Sequence, residues 1–415
     1  MKKNILLLFP YRFTEFNYYK YEISKLEKKY NLKVIIHDLS NVVTNKKLNA
    51  VWKTKLEKKT LKFSSLISWI SYFHKTRKEK IIIFNYVTAQ NLNSFIINLL
   101  IKLSKLPVMF CDEAPPHPES KKNIHFFLSR IKRHNFNYKV YLFYLKSYFF
   151  KFLINLIKYD KIYSLSNNCH KNYHSSYYGR KEKNFVKINF NSYDYSNALS
   201  VEKNKKKKFT KNYIIYLDNG GPYFTGDSHL IGNRIPKYDI KKEYNDLNLF
   251  FDKIEKYFNA KVVIIPHPKY RSSNTKKIKS FNPYFNNRIV NNAHDSLAKL
   301  SSNCLFFIHK ASTAISYAVF HCKPVIGIYT PQCLHHSEFE DILGQSRNLG
   351  KKPLDTSKIN KKKILKNLTI NKSKYKYYKY NYLTHKNKTV EKIPNYKIIG
   401  DLMNQLFKKN KFKFK

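Results

Sequence analysis

The chain has 415 residues, and its 79 Lys and Arg against 27 Asp and Glu give a formal net charge of +52. This length allows two domains of about 200 residues, each large enough to bury its own core. A net positive charge of this size suggests a nucleic-acid-binding protein, but the sequence has no zinc-finger, leucine-zipper or RNA-binding signature. We therefore interpret much of the charge as solvated lysine and do not expect nucleic acid as a partner.

The sequence predicts a cytoplasmic protein with no spanning helix. Its five cysteines are scattered and form no Cys-x-x-Cys pair, which is typical of reduced thiols. The apolar run at 5–9 is too short for a signal peptide and is interpreted as a first strand. No stretch of 18 apolar residues is free of charge.

Short β-like runs alternate with longer helical patterns through the first half of the chain. Such alternation favours a parallel sheet covered by helices on both faces, so we predict a Rossmann-like domain over residues 1–195. The predicted helices lie near 15–29, 90–105, 122–157 and 169–177. The predicted strands are 5–9, 33–37, 81–87, 107–111, 161–165 and 185–190.

One of these helical patterns, at 139–158, is rich in Phe, Leu, Ile and Tyr and also carries four lysines. At about 100° per residue the lysines fall within an arc of roughly 140°. The pattern fits a core helix with a lysine-lined outer face, which we expect, and it also fits a helix lying on an anionic membrane surface. The four lysines are Lys139, Lys146, Lys151 and Lys158.

A polar, basic linker is predicted at 196–212, and a second Rossmann-like domain at 213–350. Its predicted strands are 213–217, 262–266, 305–308 and 324–329, and its predicted helices are 241–257, 295–301 and 313–321. A basic extension follows at 351–415, with a helical pattern at 394–407 that can dock on one of the domains. The predicted fold class is α/β, with two domains facing a cleft.

Asp218 and Gly220 directly follow the first strand of the predicted second domain. In open α/β sheets, ligands bind outside the carboxyl ends of the strands, and a carboxylate there can act as a base. A strand-ending turn uses the same residue types, so that alternative stays open.

His267 and Pro268 follow the next predicted strand, with Lys269 and Arg271 beside them. Proline fixes the backbone direction at this strand end. A histidine that titrates near neutral pH, next to two cations, suits hydrogen bonding or proton donation to a departing phosphate. The alternative is a loop histidine without a role.

His309, Ser312 and Thr313 follow a third strand. Ser312 or Thr313 is predicted to be the N-cap of a helix, whose free amides and dipole favour an anion. Helix capping alone would also explain them, but they are expected at the same sheet edge as His267. Two signals therefore point to one ligand crevice.

In the first domain, Glu113 or Asp112 is the best candidate for a catalytic base, since both directly follow the predicted strand 107–111, where a base could be supplied across the interdomain cleft. The prolines that follow them equally indicate a rigid loop. The sequence lacks a Walker loop, G-x-G-x-x-G, G-x-S-x-G and H-E-x-x-H, which argues against the commoner nucleotide, hydrolase and zinc-protease sites. It also lacks an Asp-x-Asp motif at a strand end, so no metal is expected.

The order Asp218-Asn219-Gly220, His267-Pro268 and Ser312-Thr313 resembles bacterial glycosyltransferases with two Rossmann domains (GT-B type). The most similar families are the sialyltransferases, the polysialyltransferases and the Kdo transferases of capsule synthesis. Asn219 stands where those families have a second acid. The resemblance implies that Asp218 is the general base, that His267 is the acid or a phosphate ligand, and that Ser312 and Thr313 hold the phosphate of CMP.

The resemblance therefore implies a metal-independent glycosyltransferase. Its donor would be CMP-linked, with a sialic acid- or Kdo-like sugar, and no cofactor would be needed. Its acceptor would be a glycan or lipid-linked glycan of capsule or lipopolysaccharide, in the cytoplasm or at the inner face of an anionic membrane. The alternatives are a CDP-dependent polyol-phosphate transferase of the teichoic-acid type, which the 309–330 segment also resembles, and a non-catalytic nucleic-acid binder.

Overall fold

A computed structural model describes most of the chain as two compact units. Unit 1 comprises Met1–Ala114, Leu142–Ser196 and Thr384–Lys415, and unit 2 comprises Pro115–Tyr141 and Asn197–Leu383. The extension suggested by the sequence from residue 351 thus contributes to both units. The described residues are 3–10, 12–44, 56, 59–77, 81–88, 91–112, 142, 145–146, 149–150, 152–154, 156, 162–166, 185–202, 212–219, 239–267, 282–288, 296–335, 337–386 and 388–409.

The described strands are, in chain order, β1 (Lys3–Phe9), β2 (Leu32–Asp38), β3 (Thr60–Lys62), β4 (Ile81–Asn85), β5 (Val108–Asp112), β6 (Ile162–Ser166), β7 (Phe185–Asn189), β8 (Tyr213–Leu217), β9 (Lys261–Ile265), β10 (Phe307–His309), β11 (Val325–Tyr329) and β12 (Leu354–Asp355).

The described α-helices are α1 (Glu15–Lys20), α2 (Ile23–Tyr30), α3 (Ser40–Thr44), α4 (Leu66–Thr76), α5 (Leu92–Leu103), α6 (Tyr193–Glu202), α7 (Ile240–Phe258), α8 (Ser296–Leu300), α9 (Ile315–Phe320), α10 (Ser337–Asn348), α11 (Lys361–Leu368), α12 (Lys372–Tyr378), α13 (Lys388–Glu391) and α14 (Asn395–Lys409). Short 3₁₀ turns occur at Asn282–Phe285, Pro331–His335 and Thr356–Lys358, and a π-helical turn at Lys379–Leu383. None of these helices is long and apolar enough to cross a membrane.

Unit 1 is built on a parallel sheet with the strand order β3-β2-β1-β4-β5-β6-β7. The interior strand β1 reads KNILLLF, the continuous apolar run expected of a strand that is buried on both faces. Ile5 and Leu7 belong to one core cluster, whereas Leu6 and Leu8 belong to the other. Because successive side chains of a strand alternate in direction, one strand supplies both cores.

Helix α14 covers one face of this sheet together with α2. Its buried residues belong to the same cluster as the β1 side chains, and Gly400 is placed so that an added Cβ would lie 2.4 Å from the ring of Tyr30. Glu22, buried before α2, accepts hydrogen bonds from Ser196 Oγ at 2.6 Å and from Tyr396 N–H at 3.3 Å. The last helix of the described residues is therefore part of the core of unit 1. The buried apolar side chains of α14 are Tyr396, Ile399, Leu402, Met403 and Leu406.

The described residues of 142–156 are helical, but five of their large apolar side chains point to solvent. The prediction that this segment is a core helix is wrong for these five residues. The reason is that the helix buries another side: Ile154 is buried, and the ring of Phe150 lies 6.3 Å from that of Phe95 on α5. We call the exposed set the apolar stripe; it consists of Leu142, Leu145, Phe149, Phe152 and Leu156.

Unit 2 is built on a second parallel sheet, with the order β12-β11-β10-β8-β9. Counted within the unit, this is the doubly wound order in which the first strand lies between the second and the third. Helix α7 packs on it through buried residues that include Leu247, Phe251 and Ile254. The predicted α/β class with two Rossmann-like domains is confirmed by these two sheets.

Candidate functional site

The candidate site lies at the carboxyl edge of the sheet in unit 2. Leu217, the last residue of β8, pairs with Ile265 of β9 on one side and with His309 of β10 on the other. The amide of Asp218 donates to Ile265 O at 3.1 Å, which extends the β8–β9 pairing by one residue. The chain changes direction across the sheet between β8 and β10, and this switch point is where open α/β sheets bind ligands.

The predicted site residues therefore leave the sheet on three adjacent strands, at one edge. Asp218 follows β8, His267 follows β9, and His309 ends β10. This convergence was expected from the sequence, and the strand order confirms it, whereas the roles of the residues stay predictions. Five predicted site residues lie outside the described residues: Glu113, Gly220, Pro268, Lys269 and Arg271.

Asp218 is buried, with 6% of its surface exposed, and His267 is half-buried. The next residue, Asn219, donates its side-chain amide to the carboxylate of Glu338 at the start of α10. The β8 strand end is thus tied to a helix that follows β11. This contact fixes the backbone that presents Asp218.

His309 is completely buried at the switch point. Neither ring nitrogen has a hydrogen-bond partner among the residues that the structure describes. Burial lowers the pKa of His309 to about 4, so the ring is neutral at physiological pH. The predicted contact between His309 and a donor stays a prediction, and the structure gives this imidazole no exposed surface.

Ser312 and Thr313 lie at the surface beside this histidine, Ser312 half-buried and Thr313 exposed. Their predicted role as N-cap is wrong: α9 begins at Ile315, and its N-cap is Ala314, without a side-chain hydrogen bond. The amides of Ile315 and Ser316 instead donate to Ser312 O and Thr313 O. This tight turn follows Ala311, which has a left-handed φ of 50°.

A buried ionic network, which the sequence did not reveal, joins four elements at the same edge. The ammonium group of Lys310, 1% exposed, donates to the carboxylate of Glu243 and lies 3.8 Å from Glu338. Glu243 also accepts a hydrogen bond from Thr330 Oγ1 at 2.6 Å. Lys310 follows β10, Thr330 follows β11, and the two glutamates lie in the first turns of α7 and α10.

Lys310 is charged despite its burial. Burial alone lowers the pKa of Lys310, but the carboxylates of Glu338 and Glu243 outweigh it and hold the pKa above its ordinary value. Removing one partner of such a buried pair typically costs about 3–5 kcal/mol, because it leaves an uncompensated charge. The network therefore fixes the backbone on both sides of the switch point.

One sequence signal could have found Glu243. It precedes Leu247 by four residues and Ile254 by eleven, so it lies on the core-facing side of α7. A charged residue on a buried face requires a buried partner. The identity of that partner, Lys310, depends on a contact 67 residues away along the chain.

The carboxylates outnumber the cations at the described part of this edge. Burial raises the pKa of Tyr216, and the negative charges of Asp218, Glu243 and Glu338 raise it further, which places all three near one tyrosine. Among the described residues, no three His, Cys, Asp or Glu side chains are grouped as a metal site would require.

Two polar residues at strand ends of unit 1, Asp38 and Asn85, serve the fold. Asp38, after β2, accepts hydrogen bonds from Phe13 N–H at 3.0 Å and from Ser40 Oγ at 2.6 Å. Asn85, at the end of β4, donates to Asn98 Oδ1 at 2.9 Å and accepts from Val87 N–H at 2.9 Å. These contacts close the turns after β2 and β4 and leave unit 2 with the better candidate site.

A cavity of about 260 Å³ lies beside α7. It is lined by Lys241, Tyr244, Asn245, Asn248, Pro283, Tyr284 and Asn286.

No protein-family model and no curated protein matches the sequence. Several solved structures are similar to the chain over nearly its whole length. They include the UDP-GlcNAc 2-epimerase from Methanocaldococcus jannaschii, at 13% identity over 97% of this chain and 100% of that chain, with a TM-score of 0.46. MurG from Acinetobacter baumannii is 10% identical over 97% of this chain and 99% of that one, with a TM-score of 0.41. The wall teichoic acid polymerase TagF is 13% identical over 98% and 90%, with a TM-score of 0.47. These similarities are too weak to assign an activity.

Proposed function

We propose that the protein is a glycosyltransferase that moves a sugar from a nucleotide-activated donor onto a hydroxyl of a glycan. The observation that carries this proposal is the convergence of Asp218, His267 and the Ser312–Thr313 turn on the switch-point edge of one parallel sheet. This edge is where a nucleotide is expected in a doubly wound fold. It combines a carboxylate, an imidazole and two hydroxyls.

The proposed reaction assigns one step to each group. Asp218 accepts the proton of the acceptor hydroxyl as its oxygen attacks the anomeric carbon of the donor. The bond from that carbon to the phosphate oxygen breaks, and the nucleotide leaves with the electron pair. His267 donates a hydrogen bond or a proton to the departing phosphate, and Ser312 and Thr313 donate hydrogen bonds to its other oxygens. Glu113 is the second candidate for the base.

The described charges at this edge leave the negative charge of a nucleotide-linked donor to be balanced by other cations. Asp218, Glu243 and Glu338 face one described cation, Lys310, which is already paired. A CMP-linked sialic acid- or Kdo-like sugar carries a phosphate and a carboxylate, and the carboxylates of this edge would repel it unless further cations bind it. Lys269 and Arg271, which follow His267 in the sequence, are the cations that we expect to bind it.

For the finer points we propose a sialic acid- or Kdo-like sugar as the group transferred, and a capsule or lipopolysaccharide glycan, free or lipid-linked, as the acceptor. The order of the Asp-Asn-Gly, His-Pro and Ser-Thr motifs supports this choice. The proposed place of the reaction is the cytoplasm or the inner face of the membrane. A metal ion is not part of the proposal.

A thermal-shift panel with CMP, CDP, UDP, GDP and ADP tests the donor, because a ligand that binds only the folded state raises its melting temperature. We expect stabilisation by CMP that is lost in His267→Ala and in Ser312→Ala/Thr313→Ala. His74→Ala, an exposed histidine on α4, is the matched control and should keep the shift. Asp218→Asn should keep CMP binding and lose about 10²–10⁴-fold in turnover, since a general base contributes that much.

The other outcomes of this panel point elsewhere. A shift with CDP alone would favour the polyol-phosphate transferase, and one with UDP or GDP would keep a glycosyltransferase with a different donor. Silence across the panel would overturn the proposal. Salt-dependent nucleic-acid binding that survives the His267 and Ser312 variants would then favour the non-catalytic alternative.

A further inference from the structure

The apolar stripe in unit 1 is a contiguous exposed surface on one side of a helix. Its five side chains are exposed to 48% (Leu142), 69% (Leu145), 56% (Phe149), 60% (Phe152) and 64% (Leu156). At about 100° per residue they fall within an arc of roughly 80°, and at about 1.5 Å per residue they extend over about 21 Å. Single exposed apolar residues are normal on a protein surface, whereas a contiguous patch indicates a binding surface.

The exposure of the stripe does not come from a detached helix. Ile154 on the opposite side is 1% exposed, and Phe150 packs against Phe95 of α5. The helix is thus held on unit 1 by one side and shows its apolar stripe on the other. A conformation of this kind leaves large apolar area in water unless something covers it.

The charge of the chain decides between the candidate partners. A second copy would bring another formal charge of +52 to the interface, and like charges of this size oppose self-association. An anionic lipid surface has the complementary charge. Lys146, exposed on this same helix, is placed as a lysine of an interfacial helix would be, with its ammonium at the headgroups.

We propose that the apolar stripe docks unit 1 onto an anionic lipid bilayer. The helix lies in the plane of the interface, its Leu and Phe side chains enter the boundary between headgroups and acyl chains, and Lys146 binds the headgroups. Both contributions are needed, because neither a short apolar helix face nor dispersed lysines alone give stable attachment. This surface does not depend on the proposed glycosyltransferase activity.

Flotation of the full chain with lipid vesicles tests the proposal. The vesicles are phosphatidylcholine with or without phosphatidylglycerol, at low and at high salt. We expect the wild type to float with the anionic vesicles, less at high salt, and far less with the neutral ones. Leu145→Gln/Phe149→Gln/Phe152→Gln keeps every charge and should weaken the partition coefficient by roughly tenfold or more, since three large side chains lose their burial in the membrane.

The matched control is Ile67→Gln/Leu249→Gln/Leu365→Gln, which removes three comparably exposed apolar residues outside the stripe and should bind as the wild type does. Circular dichroism and the melting temperature establish that both variants fold. Three results would each overturn the proposal: a wild type that ignores anionic vesicles, a stripe variant that binds them undiminished, or a control that loses as much. Light scattering tests a fourth such result. If the wild type is a dimer and the stripe variant is a monomer, a second copy of the chain covers the stripe, and the proposal is overturned.

Discussion

His309 shows how strongly the fold constrains one ionisable group at the candidate site. Its imidazole is completely buried, and burial lowers its pKa to about 4. In the unfolded chain the same ring titrates near its ordinary value of about 6.5. A proton that the unfolded chain binds more tightly than the folded one makes stability depend on pH.

The direction of that dependence follows from the lowered pKa. Between pH 6.5 and pH 4 the unfolded state binds a proton that the native state refuses, so the stability from neutral His309 is present above pH 6.5 and is lost as the pH falls. For a pKa near 4 in the fold, unit 2 should lose about 2 kcal/mol between pH 7 and pH 5 through this residue. Between pH 7 and pH 5, the free energy of unfolding should fall by about 2 kcal/mol less in His309→Asn than in the wild type, because the variant lacks this titrating group.

Urea unfolding at the two pH values, followed by circular dichroism, gives this difference between the two proteins. The comparison uses the change in the free energy of unfolding between the two pH values in each protein. It therefore does not depend on any stability that the substitution itself removes at both pH values. Equal slopes for wild type and variant would contradict a neutral, buried His309.

At the scale of elements, the contact between α2 and α14 depends on the small size of Gly400. A Cβ at this position would lie 2.4 Å from Cε2 and Cζ of Tyr30, a separation that atoms do not adopt. The same tyrosine donates hydrogen bonds to Asp401 Oδ1 at 3.1 Å or to Lys397 O at 3.3 Å. The ring therefore cannot move away without losing these contacts.

Gly400→Ala should destabilise unit 1 by about 1–3 kcal/mol through overpacking, although alanine favours a helix by about 1 kcal/mol. In a Tyr30→Ala background the clash is absent, so the same substitution should become stabilising by up to about 1 kcal/mol. Tryptophan fluorescence measures both stabilities, since Trp69 is buried in unit 1. If Gly400→Ala stabilised the protein in both backgrounds, the ring of Tyr30 would be able to move aside without cost, which would contradict this prediction.

Elements with a continuous apolar pattern could be predicted from the sequence, and those set by backbone geometry or distant pairing could not. The strand at 213–217 was predicted with its observed bounds, because YIIYL is an apolar run with polar residues on both sides. The helix predicted near 15–29 is divided by Glu22, which adopts a left-handed φ of 52° and turns its carboxylate toward Ser196 and Tyr396. That conformation depends on partners far along the chain.

The candidate site divides in the same way. The polar residues after buried strands could be assigned to one sheet edge from the sequence, since parallel strands end together, and their roles there stay predictions. The N-cap was misplaced because the left-handed Ala311 has no signature in the sequence. The pairing of Lys310 with Glu243 was missed because a single sequence does not show which distant residues meet.

On the scale of the whole molecule, unit 1 depends on both ends of the described chain. Five buried residues of α14 belong to the core cluster that includes Ile5 and Leu7 of β1. Losing one large buried side chain costs about 2–5 kcal/mol, and whole domains are stable by only about 5–15 kcal/mol. The loss of α14 should therefore exceed the stability of unit 1.

A chain that ends at Leu383 should have an unfolded unit 1, with solvent-exposed tryptophans and no cooperative fluorescence transition. The elements of unit 2 should retain their protection from hydrogen exchange, because all of Asn197–Leu383 is present. The substitution Met403→Ala, which removes one buried side chain, is the milder comparison. It should keep a cooperative fluorescence transition and only lower the free energy of unfolding of unit 1. Native fluorescence in the shortened chain would show that α14 is not required.

The interleaving of the two units also sets an order of events during synthesis. Translation completes unit 2 at Leu383, while unit 1 still waits for α14 although its first strands were made long before. At about 5–20 residues per second, the 187 residues between Ser196 and Leu383 take roughly 10–40 s. During that interval α2 covers one apolar face of β1 without α14, so the nascent protein presents an apolar, aggregation-prone surface that a ribosome-associated chaperone would have to shield.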